Sequence, residues 1–447
     1  MPTFRVVAGL AAAMALGLPA AAVANTWSGP TRIPGHTGLT VPHAAMDAAG
    51  EAVVIWSDGN GHVYASIRSA AGRFSAPQTL VSGPDGTAVR AEQLAVGRDG
   101  TAVVVWAQAA RRSPHYRVMA SVRRPHERFG PARMVGAAQS VFRSNPNAAV
   151  SSHGTIAVVW SRDDAPRIAM AVRGGRFGAS RALRGWGAQV VVAFAADDRL
   201  YAAFSALRSP SGAGTTPSRS LYATSTAVPP RFAAPRRVAV NGLDPALAAG
   251  PSRTMTLAWR TGAVDTSEGL GAGAIYAARS SRGGPFRGAA AVSPAGITGR
   301  SPVAAGSPLG VLVTWDKFGG IWPTDPPGAG PVYSWVADRA SGPWRPAQPL
   351  AGPADWTTVP GMAIDSSGLA TVAYMRRTSS TTRSLAVRTG PIGAPLGDEQ
   401  ILAQAEDRHN AHNAWWQAAV ASSGRTTLVV WATPVGGKLI AFTSTGS

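Results

Sequence analysis

The residues whose types could do chemistry lie late in the chain. Trp322, Asp325, Asp355, Trp356, Arg408, His409, His412 and Trp415 set indole rings beside carboxylates, imidazoles and a guanidinium. That mixture suits recognition of a sugar or a protein surface: a ring covers an apolar face while charged groups hydrogen-bond its surroundings. Asp265, Glu268, Asp316, Lys317, Arg376, Arg377, Glu406 and Asp407 share this polar character and stand close by in sequence. Trp322 and Trp356 have a second reading, as plugs that pack loops against a scaffold. His409 and His412 are three apart, a spacing that suits a metal on a helix. The sequence offers no third ligand, so no metal is expected. The stretch GLGAG at 269–273 lacks the following helix that a phosphate loop needs, and no G-x-S-x-G elbow occurs. Without cysteine there are no thiolate metal sites and no cysteine nucleophiles. These residues are therefore assigned to ligand binding, with no catalytic residue and no cofactor.

What must position them is a repeat. A run of Val, Ile, Leu, Ala or Thr ending in an aromatic recurs eight times, at Trp56, Trp106, Trp160, Phe204, Trp259, Trp315, Tyr374 and Trp431, 44 to 59 residues apart. Such runs are strand chemistry. Apolar residues on both of their faces predict sheets covered on both sides. Residues 93–135 show the whole unit: a short apolar strand A, a tight turn, the aromatic-ended strand B, an alternating strand C that ends in Arg, and a strand D from Phe129 to Val135. The turns before strand B, such as DAAG, GRDG, SSHG and DSSG, carry residues that tolerate positive φ and close hairpins. Their aspartates are read as turn formers. Tyr64, Tyr222, Tyr276 and Tyr333 fall in C strands, where repeat position explains them.

Strand D opens at Trp27, Phe74, Phe129, Phe177, Phe232, Phe286, Trp344 and Ile392. An aliphatic residue follows six positions after the first seven, from Ile33 to Leu350. The first D precedes any A, B or C, whereas the last A–B–C set, ending LIAFTSTGS, has no D. Four strands at this period indicate a β-propeller, and a ring explains the offset. The expected fold is all-β, a single eight-bladed β-propeller with four antiparallel strands per blade, closed by the N-terminal strand completing the C-terminal blade. Seven blades follow if the poor fourth or seventh repeat is irregular. In this closure the chain resembles WD40-type propellers, although it lacks their Gly-His and Trp-Asp signature. It is distantly similar to sialidases, whose S-x-D-x-G-x-T-W box has no complete copy here; GRDGTAVVVW shares a fragment. That resemblance would imply an Arg cluster, a Tyr nucleophile and a carboxylate pair, in a chain with seven tyrosines.

Propeller geometry puts the B–C and D–A connections on one face, and the length variation is concentrated there, as in DKFGGIWPTDPPGAG. The function expected is non-catalytic binding of a glycan or cell-surface protein through that face. The alternatives are a secreted glycosidase or lyase using the same face, and an anionic-polymer binder using arginine. The net charge is +19, and of 42 basic residues only Lys317 and Lys438 are not arginine. Arg68, Arg73, Arg123, Arg128, Arg173, Arg176, Arg231, Arg279, Arg282, Arg339 and Arg388 recur around the C–D turns, on the opposite face. They either hold a polyanion or protect outer strands from edge pairing. At the N-terminus Arg5, an uncharged apolar stretch and Ala22-Val23-Ala24 read as a secretory signal over 1–24, cleaved before Asn25. The expected mature protein is a secreted, disulfide-free, monomeric propeller over 25–447, with no stretch long enough to span a membrane.

Overall fold

The computed structural model describes residues 26–34, 42–58, 61–82, 87–110, 113, 115–138, 146–163, 165–183, 187–208, 218–227, 231–262, 273–297, 299–316, 334–339, 342–352, 356–357, 361–377, 382–406, 418–424, 426–432 and 439–445. They form eight antiparallel sheets, each running A–B–C–D in order. Blade 1 comprises His43–Met46, Ala52–Ser57, His62–Arg68 and Gln78–Ser82, and blade 2 Thr87–Val96, Ala102–Ala110, Tyr116–Arg123 and Arg133–Ala138. Blade 3 comprises Asn147–Val150, Ile156–Arg162, Ala165–Ala171 and Arg181–Ala182, and blade 4 Ala188–Phe194, Leu200–Arg208, Ser218–Thr226 and Arg236–Val240. Blade 5 is Gly242–Gly250, Thr254–Thr261, Ile275–Ser281 and Arg287–Ala291, and blade 6 Arg300–Ser307, Gly310–Asp316, Ser334–Arg339 and Gln348–Pro349. In blade 7 strand A comes in two pieces, Trp356–Thr357 and Gly361–Ile364, before Leu369–Arg377, Thr382–Pro391 and Gln400–Glu406. Blade 8 joins Ala418–Ser423, Thr426–Ala432 and Leu439–Thr445 to Thr31–Arg32 from the other end of the chain. Strand A of each blade lies against strand A of the next, and blade 8 returns to blade 1. The fold is an eight-bladed β-propeller, and all eight repeats are used.

The closure is a ladder. Thr31 pairs with Ala441 and Arg32 with Ile440, while Trp27 bridges Ser444. The Ser28 amide donates to the Thr443 carbonyl at 2.7 Å, and the Thr443 amide donates to Ser28 Oγ at 3.1 Å. Ile33 is buried in the same cluster as Trp431 and Trp56.

Strand B explains why the blades pack. Its alternate residues point to opposite faces, and both faces are dry. In blade 1, Val53 and Ile55 pack with Trp106 of blade 2, whereas Val54 and Trp56 pack toward blade 8. The aromatic that ends strand B always enters the seam with the preceding blade, and all eight aromatics are buried. The aromatic that opens strand D enters the same seam, while the aliphatic six residues later enters the next; Phe129 and Val135 show both. Strand D differs from the sequence expectation in one respect. Phe74 and Phe129 make only isolated bridges, to Arg68 and Arg123, and the ladder starts beyond Pro77 and Pro131. Proline has no amide to donate, so it fits this outermost edge strand. The C-strand tyrosines stack on their register partners, Trp56–Tyr64 at 5.8 Å and Phe204–Tyr222 and Trp259–Tyr276 at 5.9 Å.

The A–B aspartates are turn formers, as read. Asp47 Oδ1 accepts the Ala49 and Glu51 amides at 2.9 Å, and Asp365 accepts those of Ser367 and Leu369 at 2.8 and 2.9 Å. Gly50 and Gly368 sit at φ +83 and +86, where a side chain would be strained. These turns meet one another: the Ala48 amide donates to Arg98 O, and that of Ser366 to Gly424 O. All A–B and C–D turns therefore share one face. The arginines there divide. Arg73, Arg128, Arg173, Arg176, Arg231 and Arg282 are exposed, while Arg68 and Arg123 are buried. Arg123 pairs with Glu51 of blade 1 and donates from Nε to Glu127 O at 2.7 Å and from Nη1 to Gly100 O at 3.2 Å.

Removing 25–35 leaves strand C of blade 8 without its partner; the expected result is a much lower melting temperature with aggregation. Unchanged melting in a monodisperse sample would reject closure by this strand. Glu51→Ala strands the buried Arg123 guanidinium and is expected to cost about 3 kcal/mol in a denaturant titration, a loss that Glu127→Ala should not reproduce because Glu127 uses its backbone carbonyl.

Candidate functional site

The residues assigned to binding mostly fall outside the described part of the chain: Trp322, Asp325, Asp355, Arg408, His409, His412 and Trp415 all do. The strand ends that bracket them are described. Residues 317–333 join Asp316 to Ser334, which pair with each other, and 407–417 join Glu406 to Ala418. Both connections leave from the face opposite the A–B turns. The backbone of Trp356 is described: it pairs with Arg377 as the first piece of strand A in blade 7, where the connection from blade 6 enters the sheet. Asp316, Arg376, Arg377 and Glu406 are also ladder residues, pairing with Arg300, Ser384, Arg383 and Thr382. These strands continue beyond their apolar run into polar sequence.

On the same face, the inner strands begin with a feature that alternation could not reveal. In blades 2, 4, 5 and 6 the A–B register slips, between Arg90 and Gln93, Ala188 and Val191, Leu243 and Ala246, and Arg300 and Val303. Each slip is a bulge of two residues at the mouth of the ring. In three consecutive blades the first bulged residue is left-handed without being glycine: Gln189 at φ 53, Asp244 at φ 51 and Ser301 at φ 42. Such conformations are costly and persist where surrounding contacts fix them. Here the contacts are polar. Gln189 Nε2 donates to Asp244 Oδ1 at 2.6 Å, and the Asp244 amide donates to Gln189 Oε1 at 3.2 Å. Arg260, buried, donates from Nε to Asp244 Oδ2 at 2.8 Å. The Val192 amide donates to Asn147 Oδ1 of blade 3 at 3.0 Å. Asn147, Gln93 and His43 occupy equivalent positions, each opposite the residue before the aromatic. The inner strands thus carry amides, a carboxylate and an imidazole at this end, with the buried Arg260 guanidinium holding the carboxylate. The chain packed around His43 disfavours its cation and pushes its pKa down to about 4.

Two further groups stand near this face. At the B–C turn of blade 1, Asp58 Oδ2 contacts His62 Nδ1 at 2.7 Å and accepts from Tyr64 at 3.4 Å. His62 keeps about a third of its side chain exposed, 33%. An imidazole held at Nδ1 by a buried carboxylate leaves Nε2 oriented outward. In blade 7, Tyr374 donates toward Leu350 O at 2.7 Å and Glu399 Oε2 at 2.5 Å, and Arg376 pairs with Glu399. Burial raises the Tyr374 phenol and the Glu399 contact raises it further, so it is a tie between blades and not an activated nucleophile. On the turn face, Ser152, His153 and Asp198 have the residue types of a hydrolase triad without its geometry. His153 Nδ1 meets both Ser152 Oγ, at 3.0 Å, and Asp198, so the two ring nitrogens do not divide between nucleophile and acid. Among the described residues no cluster of three His, Asp or Glu could hold a metal, and no helix is long and apolar enough to cross a membrane.

No protein-family model matches the chain, and no curated protein matches it. Solved structures do. An ulvan lyase from a new polysaccharide lyase family superposes with a TM-score of 0.50 at 8% identity, covering 92% of this chain and 95% of its own. The WD40 domain of SCAP from fission yeast superposes with a TM-score of 0.50 at 9% identity, covering 94% and 98%. A Hadza microbial sialidase gives 0.42 at 9% identity, covering 87% and 75%. At these identities the likeness shows the propeller fold alone.

His43 sets a pH dependence. Its folded pKa lies below the ordinary 6.5, so the unfolded chain binds the proton more readily. Stability is full above pH 6.5 and falls as the pH drops toward 4. Urea titration at pH 7 and pH 5 should show a loss of about 1–2 kcal/mol, discounted for partial exposure, that His43→Gln removes. An equal loss in the variant would assign the dependence to other groups.

Proposed function

We propose that this protein is an exported, monomeric, non-catalytic propeller that binds a glycan or a protein ligand on the face of its B–C and D–A connections, over the mouth of the ring. The observation that supports this reading is the polar, bulged lining of that mouth. Gln189, Asp244 and Ser301 hold left-handed backbone in successive blades, and hydrogen-bonding groups of this kind match sugar hydroxyls. Trp322, Asp325, Asp355, Trp356, Arg408, His409, His412 and Trp415 are its proposed contacts, with the indoles stacking on ring faces. Export rests on the signal-like residues 1–24. The polysaccharide lyase among the structural neighbours is compatible with a carbohydrate ligand, but contributes only its fold.

A second reading, a carbohydrate-active enzyme on the same face, is favoured by one observation: the Asp58-fixed His62 beside Tyr64, an arrangement suited to proton transfer. Glycan-array binding with product release measured in parallel separates the two. Trp322→Ala with Trp356→Ala is expected to abolish binding while moving the melting temperature by less than about 2 °C. A large fall in melting temperature would instead make the indoles packing plugs. Turnover that disappears in His62→Ala would replace the binding reading with the catalytic one.

A further inference from the structure

One repeat position on the turn face joins blade 1 to blade 2. It is the residue five before the strand-B aromatic: Glu51 in blade 1, Thr254 in blade 5, Thr426 in blade 8. A second position closes strand C of the following blade, and arginine holds it three times. Arg123 pairs in register with Ala102, Arg339 with Val311 and Arg68 with Ala52. Between blades 1 and 2 these positions meet as carboxylate and guanidinium, and Arg123 bonds through all three nitrogens.

Between blades 5 and 6 the guanidinium is kept and the carboxylate is not. Arg339 stands in the place of Arg123, and Thr254 in that of Glu51. The seam is tight: a β-carbon on Gly250 would meet Thr254 Oγ1 at 2.8 Å and Val311 Cγ2 at 3.0 Å. A second guanidinium lies at this seam, Arg279 donating from Nη2 to Thr254 Oγ1 at 3.3 Å. Arg339 Nε is buried without a hydrogen-bond partner. Burial, then the nearby Arg279 charge, disfavours the Arg339 cation. Exposed Arg253 and Arg282, both left-handed, flank the seam, the Arg282 amide reaching Arg253 O at 3.5 Å. No carboxylate among the described side chains pairs with any of the four. Two guanidinium groups at one half-buried seam, where the seam between blades 1 and 2 supplies a carboxylate, call for an anion.

We propose that the seam between blades 5 and 6 is an oxyanion site, in which Arg279 and Arg339 hold a sulfate or carboxylate group in the place that the Glu51 carboxylate fills between blades 1 and 2. The site lies on the face opposite the proposed ligand face and stands independently of that reading. The seam between blades 8 and 1 is the contrast. Thr426 again replaces Glu51, but Arg68 Nη1 is enclosed, and a β-carbon on Gly72 would sit 3.2 Å from its Nη2, leaving one guanidinium under its own turn.

The test is thermal melting of the full chain in sodium sulfate against sodium chloride at matched ionic strength, below about 10 mM so that general salt exclusion stays small. Wild type is expected to gain about 2 °C in sulfate, and Arg339→Gln and Arg279→Gln to lose that gain. Thr254→Glu supplies the carboxylate internally, so it should melt higher in chloride and no longer respond to sulfate. Arg128→Gln, an exposed arginine elsewhere on this face, should respond as wild type does. Dextran sulfate distinguishes a polymer-borne group from the free ion: protection by both, lost in Arg339→Gln, fits the site and leaves either source able to fill it. Absence of a sulfate response in wild type, a response retained in Thr254→Glu, or polymer protection that survives Arg339→Gln would each overturn it.

Discussion

The structure depends on the burial of both faces of every B strand. A sheet dry on one face can end a domain, but a sheet dry on both requires a neighbour on each side, and so does that neighbour. With eight such sheets in sequence the only arrangement without a wet end is a ring. The aromatic that ends each B strand fills the seam behind it and the intervening aliphatics fill the seam ahead, as Trp106 and Val105 show. Packing on this scale outweighs individual polar contacts, because each anchor removes a large apolar area from water. It also explains the strand contributed by the N-terminal part of the chain. The last A–B–C set has three strands where the other blades have four, and Thr31–Arg32 supplies the missing edge to Leu439–Thr445.

Much of this was legible because it repeats. A period seen eight times reports strand identity without any knowledge of contacts, and the displaced D strand reports closure. Local slips were not legible. A bulge changes which residue opposes which, and at Gln189 or Asp244 the sequence carries no glycine to announce a positive φ; a Pro after Asp244 and after Ser301 is the only mark, and it has many other uses. The extent of polar strand ends was also hidden. At Trp356 and Arg376 periodicity fades where a strand leaves the core, although the backbone ladder continues. Pairs distant in sequence were out of reach altogether. Nothing local in Glu51 or Arg123, 72 residues apart, says that they meet.

The two faces of the ring obey different constraints. On the turn face the connections are short and repeat closely, so aspartate and glycine recur as turn formers and neighbouring turns bond to one another. On the other face the connections lengthen from blade 4 onward, and the inner strands beneath them carry the left-handed residues. A rigid ring with variable loops on one side can change its ligand without disturbing its core. The strained bulges show that this side has departed from the regular repeat in the scaffold itself, not only in the loops.

Charge shows how far a repeat can diverge without losing the fold. The position of Glu51 is Thr101, Thr155, Thr254 and Thr426 in four other blades and Arg199 in blade 4, so it passes from acid through neutral to base while the apolar seam around it persists. Packing tolerates this because the position lies at the rim, where strand B begins and water is near. The arginine that faces it is less tolerant, since its head group lies deeper and must find an acceptor. In blade 2 the preceding blade provides one. In blades 1 and 6 it does not, and Arg68 and Arg339 each keep a buried nitrogen without a partner. Their environments then differ by one residue: Arg279 adds a second positive charge beside Arg339, whereas Arg68 stands alone beneath Gly72. The single guanidinium of Arg68 bears only its own desolvation. At the seam between blades 5 and 6 the Arg279 charge adds repulsion to the desolvation of Arg339, and that gives an outside anion a reason to bind there.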